Sequence, residues 1–238
     1  MHNTPCEAIF AGLFSLAQTV RKSMKGVVFM QQTKVQTRIQ NSAQKRTNHI
    51  RRMVMTAILA ALSSVLMFFS FNVPLMPSFI KLDLSELPAL IASFSMGPLS
   101  GAAVCLVKNL VNLFFSTTGG VGELSNFILG VFFVVPAGLI YKLRPKFSGA
   151  VIGCIVGAAC MAVLSVFSNY FVVYPVYTAF MPMDAIIGMY KAINPSVETL
   201  WDCLIVFNMP FTFIKGMISS VITIAVYKKI TPIINGTK

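Results

Sequence analysis

Lys215 sits inside the apolar stretch NMPFTFIKGMISSVITIAVYKK, with Thr212 and Asn208 before it at spacings of three and four residues. That spacing puts all three on one face of a helix. Lys108, Asn109 and Asn112 are set in the same way inside GPLSGAAVCLVKNLVNLFFS, Glu123 and Asn126 open the next apolar run, and Asn169, Tyr170 and Tyr174 lie near the end of the one after. A lysine at the centre of a bilayer costs roughly 2.5–3.5 kcal/mol on insertion scales, so it must face a bundle interior or a watery cavity. Amides and ammonium groups of this kind can hydrogen-bond a polar heterocycle or a polyol. Two readings follow. The residues line a cavity, open to the outside, that binds a small polar molecule; or they join helix to helix, with a structural Lys–Glu pair among them.

The pattern is one for binding rather than catalysis. There is no HExxH, no Ser-His-Asp set, no pair of acids within an apolar run and no G-x-x-x-x-G-K-[ST] phosphate loop, and the two histidines, His2 and His49, lie in the N-terminal tail. Cys6, Cys105, Cys154, Cys160 and Cys203 form no CxxC pair and read as small hydrophobes, without a metal site. No enzyme activity and no resident cofactor is expected.

The elements that carry these residues must cross lipid. The 238 residues are 56% hydrophobic and 11% charged, with mean hydropathy +0.77. Water-soluble domains carry about 25% charged residues. A formal charge of +12 would suit nucleic acid, but its placement argues for a membrane instead. Nine of the 19 Lys and Arg precede Met53, three more are Lys142, Arg144 and Lys146, and Lys228, Lys229 and Lys238 close the chain. Six of the seven acids lie in the remaining connections or their flanks. That alternation is the positive-inside pattern, and no nucleic-acid partner is expected.

The expected fold is therefore an all-α membrane protein, a six-transmembrane-helix bundle with both termini cytoplasmic. Residues 1–49 read as a basic cytoplasmic tail, partly disordered, with Met30 an alternative start. Residues 50–230 form the membrane domain and 231–238 a short C-terminal tail. Helix 1 is expected over 53–71, a short helix 2 and a longer helix 3 meeting at Gly97-Pro98, helix 4 over 124–141, helix 5 over 149–175 and helix 6 over 200–227. The segment between helices 5 and 6 reads as a long outer connection with a short helical turn. Small residues four apart, Ala57 and Ala61 on helix 1 and Gly149, Gly153 and Gly157 on helix 5, mark close packing, within the bundle or against a partner.

At the level of motifs, PSFIKLDLSELPALIASFSMGPLSGAAVCLVKNLVNLFFSTTGGVGELSNFILG, SNYFVVYPVY and PFTFIKG resemble the riboflavin-specific substrate-binding subunit of energy-coupling factor (ECF) transporters, over residues 53–227. The resemblance implies a multi-pass protein of the bacterial plasma membrane. It also implies a riboflavin pocket on the outer side covered by the first loop, and as partners a transmembrane scaffold subunit with two cytosolic ATPases that use the ATP. The flavin-contacting asparagine of the family resembles Asn169. The family's Pro-Phe-Asn-x-x-Lys segment matches Pro210, Phe211, Thr212 and Lys215, so Lys215 would donate to a carbonyl of the flavin ring. Thr212 departs from the common asparagine, and Asn208, one turn earlier, would compensate. Lys81, Leu82 and Asp83 would meet the flavin edge from the first loop. Lys108, Asn109, Gly122, Glu123 and Asn126 match positions around the ribityl side, while Asp83 and Glu86 have the competing role of capping helix 2. Ala57 and Ala61 would meet the scaffold.

The alternatives are a substrate subunit for another vitamin, such as thiamin or pantothenate, and a membrane assembly protein without a ligand.

Overall fold

The computed structural model describes residues 5–73, 76, 81–116, 119–179 and 182–235, with side chains described, within those ranges, over 36–227 and at 229. The chain divides into two compact units, Met1–Arg51 and Arg52–Lys238. Residues in the first unit are helical from Pro5, within helix α1 (Pro5–Phe68); the side chains of the apolar patch AIFAGLFSLA lie outside the described ones.

In the second unit, α1 ends at Phe68, short of the expected 71, because Phe71–Asn72 (β1) pairs antiparallel with Lys81–Leu82 (β2). This two-residue ladder brings the ends of the first loop together. Helix α2 (Glu86–Met96) and helix α3 (Pro98–Leu113) meet at Gly97, whose φ of 101° lies in the left-handed region glycine tolerates, with Pro98 preset for the first turn of α3. At 1.5 Å per residue, both fall short of a hydrocarbon core of about 30 Å. Helix α2 packs against α3, against α4 (Val121–Leu143) and against the final helix, and Ala89, Leu90 and Ala92 are wholly buried.

Helix α5 (Phe147–Ser168) lies along α4. A Cβ on Gly153 would come 2.7 Å from the Ala137 carbonyl oxygen, and one on Gly157 2.5 Å from that of Phe133. These glycines let two backbones close directly, and they serve the bundle interior.

Beyond α5 the helix widens to an i→i+5 turn at Asn169–Val173, where the Tyr174 N–H donates to the Asn169 carbonyl, and continues as α6 (Tyr174–Tyr177). The connection between α6 and the next helical stretch holds α7 (Met183–Lys191), longer than the single turn expected. Thr199 and Asp202 then cap α8 (Leu200–Cys203) reciprocally: Asp202 accepts from the Thr199 N–H at 2.9 Å, and the Asp202 N–H donates to the Thr199 hydroxyl at 3.3 Å. A second i→i+5 turn, Leu204–Asn208, leads into α9 (Met209–Asn235).

Both wide turns have one cause. Pro175 and Pro210 each stand two residues after the turn. Proline lacks the N–H that would pair with the carbonyl four residues back, and its ring crowds that carbonyl, so the backbone opens rather than breaks. By length and composition four helical stretches among the described residues can cross a membrane: Gln36–Phe68, Val121–Leu143, Phe147–Tyr177 and Leu200–Tyr227. The described architecture is all-helical apart from the β1–β2 ladder.

Candidate functional site

Two buried lysines organise the interior. Lys108 on α3 is wholly buried, and its Nζ donates to Glu86 Oε1 and to Ser85 Oγ, both at 2.7 Å. Glu86 is the first residue of α2, where a carboxylate also faces the positive end of the helix dipole. Gly130 on α4 closes over this carboxylate; a Cβ there would come 3.0 Å from Glu86 Oε2.

Lys215 on α9 donates to Asp83 Oδ2 at 2.7 Å. The other Asp83 oxygen accepts from the Ser85 N–H at 3.0 Å and from the Ser85 hydroxyl. Ser85 therefore links the pairs into one polar chain, Glu86–Lys108–Ser85–Asp83–Lys215, and the Ser63 hydroxyl of α1 donates to the Ser85 carbonyl. Burial alone would raise the Asp83 carboxyl. The cations of Lys215 and Lys108, with the hydrogen bonds from Lys215 and Ser85, outweigh it and hold the group below the usual carboxylate range.

Lys215 also lines a cavity of about 230 Å³. Gly122, Ser125 and Asn126 contribute from α4, Asn169 from the first wide turn, Tyr174 and Tyr177 from α6, Ile186 from α7, Asn208 from the second wide turn, and Phe211 and Thr212 from α9. The side chains of Asn126, Asn169 and Thr212 make no hydrogen bond among the described residues. Amides in a cavity wall without protein partners are hydrogen-bonding capacity directed at something else.

Of the residues singled out in the sequence, Gly122, Asn126, Asn169, Thr212 and Lys215 converge on this cavity. Asp83 reaches it only through Lys215. Lys81 and Leu82 belong to the ladder with β1. Lys108 is enclosed with Glu86 and does not line the cavity, Asn109 Nδ2 turns back to the Cys105 carbonyl at 2.8 Å, and Glu123 accepts from the Ser116 hydroxyl at 2.7 Å. The ion pair with Lys108 takes Glu86 out of the pure capping role considered for it, whereas Asp83 does bond the first N–H ahead of α2. Ala57 and Ala61 are exposed on α1, among the exposed Val54, Ile58, Leu62 and Val65.

Sequence reasoning passed over the wide turns and the contribution of α7. The legible signal was a proline at corresponding places in two adjacent apolar runs, Pro175 directly after Tyr174 and Pro210 two residues after Asn208. It also missed a cluster behind the cavity: Tyr190 on α7, wholly buried, donates to Asn208 Oδ1 at 2.9 Å and meets the Tyr174 hydroxyl at 2.5 Å.

The helical fold, short interior helices and polar cavity describe a membrane-embedded binding protein for a small molecule. The family model for the substrate-specific component of ECF transporters matches residues 51–227, and the chain belongs to that family. It is accordingly a multi-pass protein of the cell membrane and a transporter component, not an enzyme. It is 32% identical over 180 residues to the riboflavin transporter RibU of Staphylococcus aureus (strain TCH60), covering 76% of this chain and 90% of that one. It is 29% identical over 186 residues to the riboflavin transporter FmnP of Bacillus subtilis (strain 168), covering 77% and 93%. A solved structure of the S component of a bacterial ECF transporter superposes with a TM-score of 0.63 at 31% identity, covering 78% of this chain and 98% of that one.

Proposed function

We propose that this chain is the riboflavin-binding substrate subunit of an ECF-type vitamin uptake transporter, and that the cavity beside Lys215 is its flavin site. The observation that carries this reading is the convergence of three unpartnered polar side chains, Asn126, Asn169 and Thr212, with the Lys215 ammonium on one partly apolar cavity. A flavin presents ring carbonyls and nitrogens on a flat apolar body, and its ribityl chain presents hydroxyls. Lys215 retains N–H donors beyond the one given to Asp83, and it offers one to a ring carbonyl. Leu129, Met161 and Phe211 take the ring's faces.

In this reading Asp83 positions Lys215 from the first loop, and Lys81 and Leu82 fix that loop over the outer mouth. Lys108 and Asn109 stand behind the site as its frame, and Glu123 holds the turn before α4. The helices cross the membrane six times, with α2 and α3 as the short crossings and both termini in the cytoplasm. Riboflavin enters from outside. Ala57 and Ala61, on an exposed apolar face, meet a transmembrane scaffold subunit whose two cytosolic ATPases supply the energy for release inside.

The test is an absorption spectrum and a tryptophan-quenching titration with riboflavin on detergent-purified protein. Trp201, the only tryptophan, stacks on Tyr170 at 4.5 Å between ring centroids, next to Asn169, so it reports on the cavity wall. Saturable quenching and a bound-flavin spectrum are expected. Folded protein that neither carries nor binds riboflavin would remove the reading, and binding of thiamin or pantothenate instead would move the chain to another substrate.

A further inference from the structure

Asn208 differs from the other amides of the cavity in having partners, and the lengths of its two contacts, 2.9 Å to Tyr190 and 3.4 Å to Tyr174, orient it. Tyr190 has one hydroxyl hydrogen, and it goes to Asn208 Oδ1 at 2.9 Å. The contact between the Tyr190 and Tyr174 hydroxyls is therefore made with the Tyr174 hydrogen, and the Tyr174 oxygen is left to accept from Asn208 Nδ2 at 3.4 Å. The three groups form a closed ring, each donating to the next. The shorter amide contact is O–H to oxygen and the longer is N–H to oxygen, the order these two bond types prefer. Such rings polarise each other's bonds, and burial makes breaking them costly.

The ring leaves one hydrogen over. Asn208 Nδ2 carries two, and Tyr174 takes one. Tyr174 and Asn208 line the cavity whereas Tyr190 does not, so the nitrogen end of the amide is the end nearer the cavity. We infer that Asn208 is a ligand-orienting residue whose remaining N–H is offered to a hydrogen-bond acceptor on the ligand, and that Tyr190 sets this polarity without touching the ligand. Resting on the flavin reading, the inference assigns Asn208 to a flavin acceptor, a ring carbonyl oxygen or an unprotonated ring nitrogen. Thr212, four residues on, adds a hydroxyl to the same face. Because Tyr190 belongs to α7, specificity at this site depends on the outer connection as well as on the membrane helices.

The experiment is a double-mutant cycle in the full chain, reading riboflavin affinity and thermal unfolding for wild type, Asn208→Leu, Tyr190→Phe and the double variant. Asn208→Leu is expected to weaken riboflavin about tenfold, the value of one lost hydrogen bond. Tyr190→Phe, which removes a single oxygen, is expected to weaken it several-fold by freeing the amide to turn. The double variant is expected to bind no worse than Asn208→Leu alone, because Tyr190 acts through Asn208. A purely structural ring would lower the unfolding temperature and leave the affinity of the folded protein unchanged, which overturns the inference. Independent, multiplying losses overturn the positioning role. If Asn208→Leu does not fold, wild-type affinity in the isosteric Tyr190→Phe is sufficient to overturn it. Wild-type protein that binds no riboflavin removes the flavin reading, and this inference with it; wild-type binding that both variants retain removes the inference alone.

Discussion

Lys108–Glu86 and Lys215–Asp83 are the same chemistry at the same 2.7 Å separation, in two different settings. The first is sealed: both side chains are 0% exposed, with Gly130 closing over the carboxylate. The second retains 10% and 6% exposure, and its lysine lines the cavity. A charge pair with no access can only organise the fold, whereas one at a cavity wall can exchange part of its hydrogen bonding with a ligand. A lysine in an apolar run is thus not by itself a binding signal; what surrounds its far end decides.

The largest effect expected is on stability. Lys108→Met leaves Glu86 charged and unpaired in a sealed site, a loss of roughly 3–5 kcal/mol. Thermal unfolding in detergent should show a large drop, and adding Glu86→Leu should recover much of it, since an apolar pair of similar volume removes the stranded charge. A mild effect of the single change would mean the site is not sealed.

Lys215→Ala should separate the functions the other way. Loss of charged hydrogen bonds worth about 1.5–3 kcal/mol predicts riboflavin binding weaker by ten- to a hundredfold, with a smaller shift in unfolding than Lys108→Met produces. Asp83→Asn, which keeps an acceptor for Lys215 but removes the charge, should weaken binding by about tenfold or less in the same titration.

The smallest effect is a predicted insensitivity. The Asp83 carboxyl is held below its ordinary value. A depressed acid contributes stability above its unfolded value of about 3.9, and the contribution is lost as pH falls through the lower folded value. Riboflavin affinity and unfolding temperature should therefore show no step from this group between pH ~5 and ~8. A step in that window that Asp83→Asn abolishes would mean the carboxylate is not held by its lysines.

Much of this arrangement was legible in the sequence. Apolar run lengths placed the helices, Gly97-Pro98 placed the break between α2 and α3, and the three- and four-residue spacing on the last helix put Thr212 and Lys215 on the cavity. Lys108 and Asn112 have the spacing of a polar face, but helix periodicity says which residues share a face and not what that face meets, and Lys108 meets the first turn of α2. The wide turns were illegible for a related reason. Hydrophobic patterning assumes one residue every 100°, and a single i→i+5 turn re-aims Asn169 or Asn208 without altering the composition around it. Tyr190 lay in a connection read as a long segment with one short helical turn, and its contact with Asn208, 18 residues away, is tertiary.

The most direct test of the central claim is an experimental structure of the riboflavin complex. The account predicts the flavin ring in the cavity between α4, the Asn169 turn and α9, within hydrogen-bond distance of Lys215 Nζ and of Asn126, Asn169 or Thr212, with the Lys108–Glu86 pair intact behind it. A flavin bound elsewhere, or one bonded to Lys108 after that pair has opened, would contradict it.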